Sequence, residues 1–257
     1  FVILAIKNLT SHLEYAFFIY LTIPGFFLNT FVEMRQCLAI SIFFYGISLL
    51  LKSRSKITFI FFILASLIHY SSAFAFLLLL ILWKWVVKPH SLFVHAIILV
   101  FSLILGLTDT IQYILKLALP IIPSRYLYYI HLSENVETLK LIAYFLFSLS
   151  IILMWKLFGT NTDKNNTQMI FTLNLFLLGS FLILSSPNRL ITRMSYYFII
   201  FQLPVVPNLL FSLKTKSEEK LLIIYLFTLY FLAQYIYGVF VKHNGGFILI
   251  PYENIFF

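Results

Sequence analysis

The chain has 257 residues, 61% of them hydrophobic and only 11% charged, and its mean hydropathy is +0.98. A soluble protein of this length cannot hide so much apolar surface, because area does not shrink fast enough relative to volume. The net charge of +9 would point to nucleic acid in a soluble protein. In a membrane protein it follows from the excess of Lys and Arg in cytoplasmic loops, so no nucleic-acid partner is expected.

The apolar runs have helix length rather than the alternating ten-residue pattern of an outer-membrane barrel. The expected fold is therefore all-α, a polytopic transmembrane helical bundle forming one integral membrane domain over 1–257. Glycine is scarce, at 8 residues, so close packing through small residues is not expected to dominate. The single cysteine, Cys37, excludes an intrachain disulfide and reads as a packing residue in an apolar helix. The sequence starts at Phe1 with neither an initiator Met nor a signal-peptide pattern. A missing N-terminal portion is expected, which makes any count of spans a minimum.

In chain order, spans are expected at 13–32, 36–51, 91–107, 138–157, 168–186, 190–212 and 221–241. The segment 57–87 is too long for one upright helix, and "HYSS" at 69–72 interrupts it. Charge counting favours a hairpin turning at His69. Lys52, Arg54, Lys56, Lys84, Lys88, Lys156, Lys164, Lys214, Lys216 and Lys220 then all lie on the cytoplasmic side. Arg35, Arg189, Arg193 and Lys242 lie opposite, and a single span would instead leave most of these cations outside. The total is about nine spans or broken half-spans, with 108–137 as a longer extracytoplasmic loop. This topology sorts cations by type: lysines set the orientation, while the arginines Arg35, Arg125, Arg189 and Arg193 gather at the opposite face with His69. Arginine is a planar fork suited to bidentate phosphate or carboxylate binding, so this excess reads as function.

Arg35 opens an apolar helix beside Glu33; it snorkels to the headgroups or pairs locally with Glu33, which would then orient it, or else it faces a polar cavity. Arg189 and Arg193, four apart, share one helix face that continues towards Tyr196 and Tyr197. They fit either an anion held between them or an interfacial Arg/Tyr anchor. The 108–137 loop carries Pro120, Pro123, Arg125 and Tyr126, which suit a sugar-phosphate ligand or equally a surface helix. His69 is the one histidine expected inside an apolar segment, as a hydrogen-bonded core residue or as a base towards a hydroxyl. His12, His90, His95, His131 and His243 show no metal-ligand spacing. No HExxH, phosphate-binding glycine loop, GxSxG or CxxC occurs.

"MRQCLAISIFFYGISLLLKSRSKITFIFFILASLIHYSSAF", residues 34–74, resembles the EpsG family of exopolysaccharide and O-antigen polymerases. "RLITRMSYYF" at 189–198 and "FILIPYENIFF" at 247–257 are similar to later segments of that family, in the same order. The resemblance implies a Wzy-type membrane glycosyltransferase in the bacterial cytoplasmic (inner) membrane. Such an enzyme serves lipopolysaccharide or exopolysaccharide biosynthesis and moves a growing glycan from undecaprenyl pyrophosphate to a lipid-linked repeat unit. On that basis Arg35, Arg189 and Arg193 hold the pyrophosphate. Arg125, Tyr126 and Tyr197 contact glycan or phosphate. His69 is the base, with Glu33 as its rival. No cofactor or metal is implied, and a chain-length regulator is a candidate partner. A flippase for lipid-linked oligosaccharides is the main alternative, and an O-acyltransferase a third.

Overall fold

The structure is a computed structural model describing residues 1–52, 55–108, 110–117, 138–158, 163–185, 189–237 and 239. Among the described residues it is built from helices alone. They are α1 (Val2–Leu9), α2 (Leu13–Thr22), α3 (Asn29–Val32), α4 (Met34–Leu51), α5 (Ser55–Ile68), α6 (Ser71–Ile81) and α7 (Trp83–Val86). The second half supplies α8 (Leu92–Leu107), α9 (Thr110–Leu117), α10 (Thr138–Phe158), α11 (Asp163–Ser185), α12 (Arg189–Ile199), α13 (Gln202–Ser212) and α14 (Ser217–Ile236).

Segments within α4, α11 and α14 are long and apolar enough to cross a bilayer, as is the bent pair α12–α13, and shorter apolar helices fill in around them. The chain is a polytopic helical membrane protein. Its core lies where α4, α11, α12 and α13 meet, around the fully buried rings of Phe43, Phe44, Phe176, Tyr197, Phe198 and Phe201. The outlying α14 shows most of its surface, and a lipid environment covers apolar side chains such as Leu222 and Leu226 at no cost.

The hairpin expected over 57–87 is present. In a straight helix Phe62 and Phe76 would lie about 21 Å apart. Their ring centroids are 4.6 Å apart, and Phe59 also reaches Phe76, at 6.1 Å. The chain therefore doubles back at His69 and Tyr70. α4 ends at Leu51 with Lys52 as its cap, and that end of the bundle also receives Lys88, Lys156 and Lys220. Asn8, bonded to Ser48 of α4, shares a cavity with Trp155 and Phe211, and the Phe211 carbonyl holds Lys220. Lys88 and Lys156 lie by the Asn174–His95 pair. Glu33, Arg35, His69 and Arg193 occupy the other end.

Two expected spans are broken. The run 13–32 stops at Thr22, because Pro24 forces Ile23 into extended geometry (φ −87°, ψ 111°) and Pro24–Gly25 opens a turn. Gly25 lets that turn sit against the Tyr196 ring, which a Cβ would meet at 3.1 Å. The run 190–212 bends by 42° between Ile199 and Gln202. Pro204 explains the position of the bend, since its ring clashes with the carbonyl four residues back, at Ile200. The loop expected over 108–137 contains the helix α9, and its remainder from 118 lies outside the described residues.

Small residues matter more than their scarcity led us to expect. A Cβ on Gly179 would lie 2.5 Å from the Ile199 amide nitrogen, and one on Gly106 would lie 2.0 Å from the Leu184 carbonyl oxygen. Both contacts are with backbone, which cannot swing aside, so these glycines set how closely α11 approaches α12 and α8. Gly179→Ala is expected to destabilise the protein by about 1–3 kcal/mol, the usual cost of overpacking. A lower midpoint of thermal unfolding in detergent would show it.

The histidine buried in an apolar helix turns out to be His95 rather than His69. His95, on α8, is 3% exposed and its Nε2 lies 3.2 Å from Asn174 Oδ1. Asn174 Nδ2 in turn donates to the carbonyls of Val86 and Lys88, at 2.8 Å each. This ties the turn after α7 to the middle of α11, satisfying carbonyls that the bend at Pro89 leaves without helical partners.

Candidate functional site

The polar side chains gather where the starts of α4 and α12 meet the α5–α6 turn. α4 begins at Met34, immediately after Glu33. The Glu33 carboxylate accepts from the Arg193 guanidinium on α12, an ion pair joining segments 160 residues apart. Both side chains are largely withdrawn from solvent, 15% and 22% exposed respectively. Screening is weak there and the pairing strong. One turn into α4, buried Gln36 donates from Nε2 to the Arg193 carbonyl oxygen at 3.0 Å. Gln36 therefore fixes the backbone of Arg193 while Glu33 fixes its side chain.

His69 lies in the turn between α5 and α6, its ring stacked on that of Tyr70. Its Nδ1 is 2.6 Å from Ser71 Oγ, and Ser71 Oγ is 2.8 Å from Tyr197 Oη. Tyr197 is fully buried and packs edge-on against Phe43. A continuous hydrogen-bond chain thus runs from the bundle interior to the imidazole. Tyr197 lies one helical turn beyond Arg193, so α12 supplies both the ion pair and the anchor of this chain. The charges of Arg193, Glu33 and Arg35 all act on the His69 ring. Arg35 itself is exposed at the same end. Among the described side chains, two guanidiniums therefore face one carboxylate, leaving the site net positive.

The sequence assignments fare unevenly. Glu33, Arg35, His69 and Arg193 are brought to one end of the bundle. Glu33, expected either to orient Arg35 or to share the chemistry, forms an ion pair with Arg193, the residue expected to face an anion beside Arg189. Tyr197 was expected at the ligand, yet it is enclosed and holds Ser71. Arg189 opens α12 one turn before Arg193, but its side chain lies outside the described residues, as do Arg125 and Tyr126 entirely.

Two contributors escaped the sequence reading. Ser71 belongs to the "HYSS" interruption, where only the histidine drew notice, and Gln36 adjoins Arg35 at the head of an apolar run. A polar residue at the mouth of an apolar helix was the signal in both cases.

A family profile, that of the EpsG family, matches the sequence over residues 1–254. The chain belongs to the EpsG family. EpsG proteins are Wzy-like polymerases, so membership associates this chain with glycan polymerisation and polysaccharide biosynthesis. No curated protein and no solved structure matches the sequence.

Proposed function

We propose that this EpsG-family chain is a Wzy-type polymerase. It transfers a growing glycan from undecaprenyl pyrophosphate to the nonreducing end of the next lipid-linked oligosaccharide, at the outer face of the bacterial cytoplasmic membrane. The observation that carries this reading is the meeting of Arg193, Arg35 and His69 at one bundle end, with the lysine-bearing loops at the other. Polymerisation at that face needs no soluble nucleotide-sugar, because both substrates arrive on lipid.

The chemistry maps onto the residues as follows. The acceptor hydroxyl oxygen bonds to the anomeric carbon of the donor glycan, and the bond from that carbon to the pyrophosphate oxygen breaks. The lipid pyrophosphate leaves as an anion, and Arg35, Arg193 and Arg189 stabilise the charge it gains. The acceptor proton passes to His69 Nε2. With Nδ1–H donating to Ser71 Oγ, and Ser71 donating on to Tyr197, the Nε2 lone pair is the free one. Glu33 is the weaker candidate for the base because its carboxylate is engaged with Arg193. Arg125 and Tyr126 remain candidate glycan contacts, and a chain-length regulator a candidate partner.

The deciding experiment uses cells lacking the gene, complemented with wild type or Arg35→Ala, with glycan lipids resolved on a gel. Wild type should restore a ladder and Arg35→Ala only single-unit product, with equal protein in the membrane. A normal ladder from Arg35→Ala removes that residue from the mechanism. Loss of lipid-linked units from the outer face would favour the flippase, and a ladder without the gene would exclude both.

A further inference from the structure

A second polar site lies at the opposite end of the bundle. It is a cavity of about 600 Å³, within the range of small-ligand sites. Its walls come from the end of α1, the 10–12 turn, and the neighbouring ends of α10, α11 and α13. Asn8 beside it donates to Ser48 Oγ at 3.0 Å, which locates it along α4. Glu33 is fifteen residues earlier on the same path, about 22 Å away along the helix axis, so the two sites are separate.

The chemistry of the walls is specific. Gln168 Nε2 and Asn208 Nδ2 both donate to the carbonyl oxygen of Leu9, at 3.0 and 2.9 Å. Two amides from different helices thus clamp the end of α1, and an amide whose nitrogen donates there still carries a side-chain oxygen able to accept from a hydroxyl group. Lys7 supplies a positive charge on the wall, and among the described residues the lining contains no carboxylate. His12 stacks on Phe211 with centroids 4.2 Å apart. Its pKa is held below the ordinary value by burial and then by Lys220, with Glu14 pulling the other way. Lys220 is itself fixed by a 2.7 Å bond to the Phe211 carbonyl. Burial and Lys220 thus disfavour the charged form of His12, and the positive charges near the cavity are those of Lys7 and Lys220.

We propose that this cavity binds a phosphate ester carrying free hydroxyl groups, with the phosphate at Lys7 and the hydroxyls at the Gln168 and Asn208 amides. On the orientation set by the lysine loops it opens to the cytoplasm. Two sources share this chemistry: a soluble sugar phosphate, or the phosphoglycerol headgroup of an anionic lipid. The proposal is independent of the polymerase reading.

The test uses the full chain in phosphatidylcholine nanodiscs, titrated calorimetrically with glucose 1-phosphate and with glucose as the uncharged control. In parallel, protein extracted from mixed phosphatidylglycerol–phosphatidylcholine vesicles is examined by native mass spectrometry for retained lipid. Lys7→Glu and Ser11→Asp each place a negative charge at an exposed wall position, where folding should be untouched; an unchanged unfolding midpoint verifies this. Saturable glucose 1-phosphate binding, weakened about tenfold or more by each variant, supports a soluble ligand. Retained phosphatidylglycerol that both variants release, without glucose 1-phosphate binding, supports the headgroup. The proposal is overturned if neither ligand binds, if both variants bind as wild type does, or if glucose binds as tightly as its phosphate.

Discussion

Replacing Arg193 with alanine is expected to reduce polymer formation by about 10²–10³-fold, the usual effect of removing one preorganised donor from a developing anion. It is also expected to destabilise the fold, because Glu33 is only 15% exposed and would lose its guanidinium partner. Breaking a fully buried ion pair typically costs about 3–5 kcal/mol, and this partly exposed pair should cost less. These effects separate in the exchanged pair, Glu33→Arg with Arg193→Glu. If the pair only holds α4 to α12, the exchange should restore both membrane protein and ladder. If Arg193 stabilises a pyrophosphate leaving group, the exchange should restore the protein but not the ladder, since the guanidinium then projects from α4 and a carboxylate stands where the anion must leave. A full ladder from the exchanged pair would reduce Arg193 to a structural role.

Much of this architecture was legible because bilayer physics leaves few choices. A run such as 36–51, apolar and helix-long, has one stable form in lipid, and α4 occupies it. The reversal at His69 was legible through an independent channel, the distribution of lysines between loops. Breaks inside apolar runs were harder. Pro24 and Pro204 are visible in the sequence, but proline is tolerated in membrane helices when neighbours satisfy the freed groups. Whether it bends, breaks or passes depends on packing that one sequence does not display. The pairing within the site was the least legible part. Nearness along the chain favoured Glu33 with Arg35 and Arg189 with Arg193. The fold pairs Glu33 with Arg193 instead, because the close α11–α12 contact at Gly179 and the bond from Gln36 bring the middle of α12 beside the head of α4. Similarly, a tyrosine following an arginine stripe looked like part of a binding face. Tyr197 instead points into the ring cluster around Phe43, and its value to the site lies in the hydroxyl it extends to Ser71.

That hydroxyl chain yields the second large expected effect. His69→Ala should lower the rate of chain extension by about 10²–10⁴-fold, the range for loss of a positioned general base. Ser71→Ala should also lower it, by a smaller factor, because the imidazole survives but is no longer held at Nδ1 by a partner 2.6 Å away. Without that bond the ring can rotate and take the tautomer that carries its proton on Nε2, where it cannot accept one. The loss should therefore fall on kcat and spare KM, since Ser71 is not proposed to touch substrate. Ser71→Thr keeps the hydroxyl and should recover most of the rate. Tyr197→Phe keeps the edge-on packing against Phe43 and removes only the far end of the chain, so its effect should be the mildest of the series. Measured with purified protein and a lipid-linked repeat unit in vesicles, the order of loss should be His69→Ala, then Ser71→Ala, then Tyr197→Phe. An equal loss in Ser71→Ala and Ser71→Thr would mean that packing at the turn, rather than the hydroxyl, is what position 71 supplies. Full activity in His69→Ala would move the base to Glu33, and the Arg193 pairing would then have to open during each transfer.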